Sequence, residues 1–185
     1  LNNLTTEEYK VTQNIKYFGG DFNEESEILV IDNTNNYYES FSNNLTQYNT
    51  FRLHSKAFAI VFPNNEKELK SVIDFVKSNN YKYFVIGNGS NIILPSYYDG
   101  VIIKLSKFNN YEVFKDEVYA QAGCMINKLS VNLINMGYSG LEFACGIPGS
   151  IGGCIYGNAG CYNKSISDVL ISVTLFDGQS IFEVG

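Results

Sequence analysis

Two glycine-rich stretches carry most of the chemistry this sequence can offer. The first, Gly87-Asn88-Gly89-Ser90-Asn91, stands between two apolar runs. Glycine takes positive φ without steric cost, so successive N–H groups in such a loop can converge on an anion. Ser90 and Asn91 add short polar side chains able to bond a phosphate or brace the loop. The loop is no Rossmann fingerprint, because Ile92 stands where a third glycine would and a strand is expected next. Nor is it a Walker A loop, since no Gly-Lys-Ser/Thr follows. Taken alone, it suits an ordinary tight turn equally well.

The second stretch is Gly146-Ile147-Pro148-Gly149-Ser150-Ile151-Gly152-Gly153. Pro148-Gly149 suits the centre of a type II turn, and Ser150 the cap of a short helix. Gly152 and Gly153 would let a ligand approach the backbone closely, and Asn158-Ala159-Gly160 continues the low-bulk surface. Four glycines in eight residues give up chain entropy on ordering, so the segment needs a reason for them. Two readings stand: a bound phosphate-bearing cofactor, or a surface where backbones pack closely.

Other candidates are weaker. His54 precedes Ser55, and any cysteine could pair with this single histidine, but no acid partner or nucleophile elbow accompanies them. Glu142 could serve as an acid, although anchoring nearby backbone N–H groups is the plainer use. Cys124, Cys145, Cys154 and Cys161 are 21, 9 and 7 positions apart, and His54 lies seventy residues upstream of the first. That spacing does not build a zinc site, so they read as reduced thiols and no metal is expected. Most of the Tyr and Phe residues read as core, with one or two free to cover a flat ring system.

The elements that position these loops read as α+β. Ala57 to Phe62 is a short apolar run stopped by Pro63, consistent with a buried strand. Asn64 or Asn65 can cap a helix whose inner face is Leu69, Val72, Ile73 and Val76, ended by Asn79-Asn80. Tyr83 to Ile86 reads as a second buried strand, so strand, helix and strand suggest a parallel crossover. The Gly-rich loop then leads into Ile92-Ile93-Leu94, and an Asp99-Gly100 turn precedes a strand from Val101 to Leu105. Tyr111–Phe114 and Val118–Gln121 look like a strand pair. A helix follows with Ile126, Leu129, Leu133 and Met136 on one face and Gly137 as its C′ residue. Val169–Phe176 and Ile181–Val184 close the chain as strands joined around Asp177-Gly178. The expected organisation is an acidic, Asn-rich leader over 1–47 and two lobes over 48–107 and 108–185.

Composition narrows the function classes. The 185 residues are 45% hydrophobic and 17% charged, an ordinary globular balance. The net charge of −6 argues against a nucleic-acid surface. All of that excess lies in residues 1–50, which hold eight acids but only Lys10 and Lys16 as bases. This leader, with an apolar piece at Ile28–Ile31 and a turn at Asn33–Asn36, reads as a packing arm or as a weakly ordered extension. No run reaches the length of a membrane span, and no signal-like layout follows Leu1. Arg52 is the only arginine. A bound anion must therefore be held mainly by backbone N–H groups rather than by bidentate guanidinium clamps.

Several segments together resemble the MurB family, the UDP-N-acetylenolpyruvoylglucosamine reductases. They are Asn49-Thr50-Phe51-Arg52, Ile86 to Ile92, Asp99 to Ile103, Ala122-Gly123, Gly140-Leu141-Glu142, Gly146 to Gly153 and Asn158-Ala159-Gly160. The resemblance covers about residues 48–178 and implies a two-lobed FAD-binding domain of the vanillyl-alcohol-oxidase (PCMH) type. It implies cofactor contacts at Ile86, Gly87, Asn88, Gly89, Ser90, Asn91 and Ile92. It also implies them at Gly146, Ile147, Pro148, Gly149, Ser150, Gly152 and Gly153, and at Asn158, Ala159 and Gly160. In this family NADPH reduces the FAD, which passes a hydride to the enolpyruvyl UDP-sugar and yields UDP-N-acetylmuramate for peptidoglycan in the cytoplasm.

The resemblance also implies what is not here. The family's catalytic arginine sits in a Tyr-Arg motif expected shortly after Gly185. Its proton-donating serine or cysteine and its glutamate lie further on, with the substrate domain. Residues 108–185 would then be an incomplete second lobe, and the chain alone would not turn over the UDP-sugar. Arg52 matches a different motif and does not take the catalytic role. His54-Ser55 replace common glycines, Cys154 and Cys161 stand where alanine is usual, and Asn163 replaces a frequent glycine.

Overall fold

The computed structural model describes residues 30–31, 37–38 and 43–185. Most of the acidic leader, including the Asn33–Asn36 turn, lies outside the described residues. Within it, β1 (Val30–Ile31) pairs antiparallel with β2 (Tyr37–Tyr38). The rest divides into two compact units. One takes the described residues up to Val85 together with Ile92–Lys104, and the other takes Ile86–Asn91 with Leu105–Gly185.

In the first unit, β3 (Lys56–Val61) runs parallel to β5 (Tyr97–Lys104), and β4 (Tyr83–Ile86) lies on the far side of β5. Ala57, Ala59, Ile60 and Val61 are buried, as are Val101, Ile102 and Ile103 opposite them. This near-continuous apolar run is what a sheet covered on both faces requires. Between β3 and β4 comes α1 (Glu66–Ser78), capped by Asn65, whose Oδ1 accepts the Glu68 N–H at 3.0 Å. Glu68 returns the favour by accepting the Asn64 N–H at 2.8 Å. Val72, Ile73 and Val76 form the buried stripe of the helix. Tyr81 stacks on Phe58 and Phe75 just beyond its end.

Three expectations for this unit are corrected. Strands β3 and β4 are not neighbours, because β5 inserts between them. That makes β4 an edge strand, and Phe84 and Val85 are 45% and 44% exposed rather than buried. Ile92–Leu94 forms no strand. Asp99-Gly100 is not a turn but part of β5, where the register with β3 shifts between Ala57 and Ala59. Gly100 is needed there for clearance. A Cβ on it would stand 2.6 Å from the Lys82 carbonyl, whose oxygen accepts the Val101 N–H. The dipeptide that signals a turn serves instead as a bulge with close backbone approach.

The entry to β3 is held by one side chain. Asn49 is 2% exposed. Its Nδ2 donates to the carbonyls of Leu45 and Leu53, and its Oδ1 accepts the Leu53 N–H, all at 2.9–3.0 Å. Beside it, Ser55 is buried and donates to the Pro95 carbonyl at 2.6 Å, while His54 is exposed. A hydroxyl committed to a backbone carbonyl is no nucleophile, so the His54-Ser55 pair carries no catalysis.

The second unit begins with the hairpin β6 (Tyr111–Phe114) and β7 (Glu117–Ala120). Next comes α2 (Ile126–Asn135), whose buried face is Ile126, Leu129, Ser130 and Leu133. Met136, expected on that face, is 56% exposed because the helix ends before it. Gly137 is the C′ residue as expected, at φ +87°. The N–H groups of Gly137 and Tyr138 reach the carbonyls of Ile134 and Leu133, the bonds of a Schellman stop. Ile126 then packs with Phe143, Ala144, Cys154 and Ile166 into one buried cluster. That cluster seats α3 (Ile151–Tyr156), followed by the small hairpin β8 (Gly160–Cys161) and β9 (Lys164–Ser165). The last hairpin, β10 (Val173–Phe176) and β11 (Ile181–Val184), turns at Gly178 with φ +93°. Its first strand is shorter than expected, because Ile166–Asp168 is a 3-10 turn capped reciprocally by Ser165 and Asp168. Among the described residues no helix is long and apolar enough to cross a membrane.

Replacing Asn49 with alanine would remove three hydrogen bonds to the backbone of Leu45 and Leu53 and should cost about 2 kcal/mol. A fall in the urea midpoint of Asn49→Ala, with unchanged slope, checks this.

Candidate functional site

Both glycine-rich stretches fall in the second unit and touch there. The loop leaves the end of β4 at Ile86, which is buried, and turns at Gly89, also buried, with φ +70°. Asn88 ties it down: its Nδ2 donates to the Pro148 carbonyl at 2.7 Å. Gly87 faces the second stretch so closely that a Cβ on it would collide with Ser150 Oγ and lie 3.7 Å from Gly153 Cα. Ser90, Asn91 and Ile92 run on toward β5, with Asn91 exposed.

The second stretch does not form the expected type II turn. Gly149 is not at positive φ, and its N–H instead closes a three-residue turn onto the Ile147 carbonyl at 2.9 Å. Proline at the centre suits that inverse γ-turn, because its ring already holds the required φ. From there the chain zips antiparallel against the residues before α2. Ile126 N donates to Gly149 O, Ile151 N to Cys124 O and Gly152 N to Ala122 O, at 2.8–2.9 Å. Two glycines serve this packing. A Cβ on Gly152 would stand 3.0 Å from Ala122 Cβ, and one on Gly149 would stand 2.5 Å from Cys154 Sγ. The first two N–H groups of α3 are thereby spent, so its N-terminus is no anion site.

Ser150 is the exception in this network. It occupies the cap position of α3 with extended backbone, yet its side chain makes no capping bond. It is 3% exposed, and its Oγ has no hydrogen-bond partner among the described residues. The atoms around it are bare glycine backbone, Gly87 on one side and Gly153 on the other. A buried hydroxyl left unpaired in an otherwise well-bonded structure calls for a partner that is not protein.

The remaining candidates each hold local structure. Asn158 has φ +42°, and its Oδ1 accepts the Ser167 N–H. Ala159 bonds Cys154 and Ile166 through its backbone, and a Cβ on Gly160 would stand 2.6 Å from the Lys164 carbonyl. Glu142 anchors as expected: its carboxylate accepts the Gly140 N–H at 2.8 Å. Backbone N–H groups of Glu142 itself and of Gly140 hold its carboxyl below the ordinary range. The four thiols are free, with Cys124 and Cys154 buried and pushed up by that burial, and Cys161 exposed. Two contributions escaped the sequence reading, the Asn88 brace and the Ala122–Cys124 carbonyls. Only Ala122-Gly123 hinted at the second, and Gly123 is required because a Cβ there would collide with the Leu105 carbonyl.

The electrostatics are neutral. No Lys or Arg lies between Lys82 and Lys104 or between Lys128 and Lys164, so neither stretch brings a cation of its own. What the arrangement offers an anion, among the described residues, is one sealed hydroxyl, Ser150 Oγ, at the junction of the two stretches. These features fit a phosphate-bearing cofactor.

Comparisons with known proteins agree. The family model described as FAD binding domain matches residues 57–182. The chain is 37% identical over 143 residues to UDP-N-acetylenolpyruvoylglucosamine reductase of Caldicellulosiruptor saccharolyticus, covering 76% of this chain and 46% of that protein. It is also 37% identical over 144 residues to the Clostridium novyi reductase, covering 76% and 47%. The chain thus spans about half the length of the curated relatives it matches. Among solved structures, the MurB reductase of Thermus caldophilus aligns with TM-score 0.64 at 26% identity, over 76% of this chain and 50% of that one. Alkyldihydroxyacetonephosphate synthase aligns at 20% identity and TM-score 0.56, over 71% and 29%, which shows the shared fold alone.

Two outcomes follow from this geometry. Gly87→Ala overpacks the junction by about 1–3 kcal/mol and should weaken FAD binding about tenfold, read by flavin fluorescence titration. The depressed Glu142 carboxyl holds the Gly140 turn at neutral pH and releases it as pH falls through its folded-state value. Amide exchange at Gly140 should therefore speed up only below the ordinary carboxylate range, and Glu142→Gln should abolish that step.

Proposed function

Since this chain belongs to the FAD binding domain family, and matches MurB reductases over about three quarters of its length, we propose that it is the FAD-binding part of a UDP-N-acetylenolpyruvoylglucosamine reductase. The observation that carries the reading is the junction of the two glycine-rich stretches. There the Asn88 brace holds bare backbone at Gly87 against the sealed, unpaired Ser150 hydroxyl. The proposed cofactor-binding residues are the loop Gly87–Asn91 with its neighbours Ile86 and Ile92, the stretch Gly146–Gly153, and Asn158–Gly160.

FAD held by these residues would supply hydride transfer between NADPH and the enolpyruvyl double bond of the UDP-sugar. The residues of this chain bind and orient. Gly87 gives the Ser150 side chain clearance, Gly89 turns the loop, and the cluster around Ile126 and Phe143 packs beneath the helix that follows Ser150. No residue here is proposed to move the substrate proton. His54 is exposed without an acid partner in its motif, Ser55 is committed to Pro95, and Cys124 and Cys154 are buried thiols whose raised pKa keeps them protonated. Protonation of the sugar belongs to the complete reductase. The reading places the protein in the cytoplasm, in peptidoglycan synthesis and through it in cell shape and division, with a UDP-sugar substrate for the complete enzyme.

The test is a spectral titration of the purified chain with FAD. Binding at micromolar concentration with a shifted flavin band supports the reading, and no uptake there refutes it. Because the donors are uncharged, the affinity should change by less than about threefold between low and high salt. A steep salt dependence would assign the anion to lysines instead.

A further inference from the structure

We propose that Asn88 is a site of spontaneous deamidation, and that its conversion to an acid unlatches the two glycine-rich stretches. Asn88-Gly89 is the only Asn-Gly pair in the chain. An asparagine cyclises when the backbone nitrogen of the next residue reaches its side-chain carbonyl carbon, and a glycine there puts no Cβ in the way. The nitrogen of Gly89 bonds to Cγ of Asn88, the Cγ–Nδ2 bond breaks, and ammonia leaves with the proton of the Gly89 amide. Water then opens the succinimide at one carbonyl or the other, giving aspartate or isoaspartate. No oxidant or further reactant is needed.

The structure sets both the brake on this reaction and its consequence. Asn88 is half-buried, and its Nδ2 donates to the Pro148 carbonyl at 2.7 Å. That bond fixes the amide, so cyclisation waits for the latch to open, and a single neutral hydrogen bond is a modest latch. The product does not close it again. A carboxylate only accepts hydrogen bonds, so aspartate at this position faces the Pro148 carbonyl acceptor to acceptor. Isoaspartate also adds a methylene to the backbone beside Gly87, where a Cβ would already collide with Ser150 Oγ. Either product puts a negative charge at a junction whose two stretches hold no lysine or arginine to offset it. One consequence rests on the FAD reading above: the new charge repels the cofactor, and bound FAD slows the conversion by holding the junction closed.

The experiment ages the purified full chain in warm, mildly alkaline buffer, with and without FAD. Asn88→Gln is aged beside it, since its longer side chain keeps the amide but cyclises far more slowly. Peptide mass mapping locates each converted asparagine, and isoaspartyl methyltransferase labelling detects isoaspartate. Asn88 should convert ahead of every other asparagine, and Asn88→Gln should gain no label at that position. FAD well above its Kd should slow the conversion by about tenfold or more. Asn88→Asp should unfold at lower urea than wild type and bind FAD about tenfold more weakly. Conversion at Asn88 no faster than at the other asparagines overturns the site. Asn88→Asp as stable as wild type overturns the latch, and equal rates with and without bound FAD overturn the protection. The mass and urea readouts need no flavin, so wild type that takes up no FAD refutes the FAD reading and leaves those two to decide the site.

Discussion

A run of three backbone hydrogen bonds, from Ile126, Ile151 and Gly152 to the carbonyls of Gly149, Cys124 and Ala122, is the constraint on which the site depends. The helix it secures, Ile151–Tyr156, has six residues, under two turns, and would not hold in water on its own. Its stability comes from being zipped at one end and packed through Cys154, Ile151 and Ile155 onto the cluster of Ile126, Phe143 and Ile166. Both devices need small residues. Gly152 must clear Ala122, Gly149 must clear Cys154, and Gly123 must clear Leu105. The glycine content of the segment is therefore largely a packing requirement, and the entropy it costs is offset by bonds a bulkier sequence could not form.

What the zip leaves over is a functional arrangement. The zip commits the N–H groups of Ile151 and Gly152, the second of which is one of the two donors that a capping serine uses. Ser150 stays buried without a bond, beside a loop braced by Asn88. With a single arginine in the whole chain and no basic residue in either stretch, the proposed recognition of a dinucleotide would rest on neutral donors. Such donors work only when they are already in place, since they lack the long reach of a charge. Rigid packing and anion recognition are then the same requirement seen twice.

Legibility in the sequence followed the range of the interactions involved. Both longer helices were readable to within a residue or two, because Asn65, Gly137 and the apolar spacing act within one or two turns. The Asp177-Gly178 hairpin was readable for the same reason. Local signals misled where a distant backbone changed their meaning. Asp99-Gly100 became a bulge under Lys82, and Pro148-Gly149 became a γ-turn because Gly149 is held by Ile126. Phe84 and Val85 look like core residues, yet strand order put them at an edge, and no periodicity encodes strand order.

For the candidate site, the sequence by itself determined the actors: two glycine-rich stretches, their order, the absence of basic residues beside them, and through those motifs the family. Composition and short spacing suffice for that, since φ permissiveness and side-chain charge belong to each residue alone. Only the tertiary structure decided their division of labour. It showed that Gly149 and Gly152 serve packing, that Asn88 is a brace, and that the Ser150 hydroxyl is the one buried side-chain polar group left without a bond among the described residues. Whether a donor is satisfied depends on residues 23 to 60 positions away, and that is a property of the folded arrangement rather than of any segment.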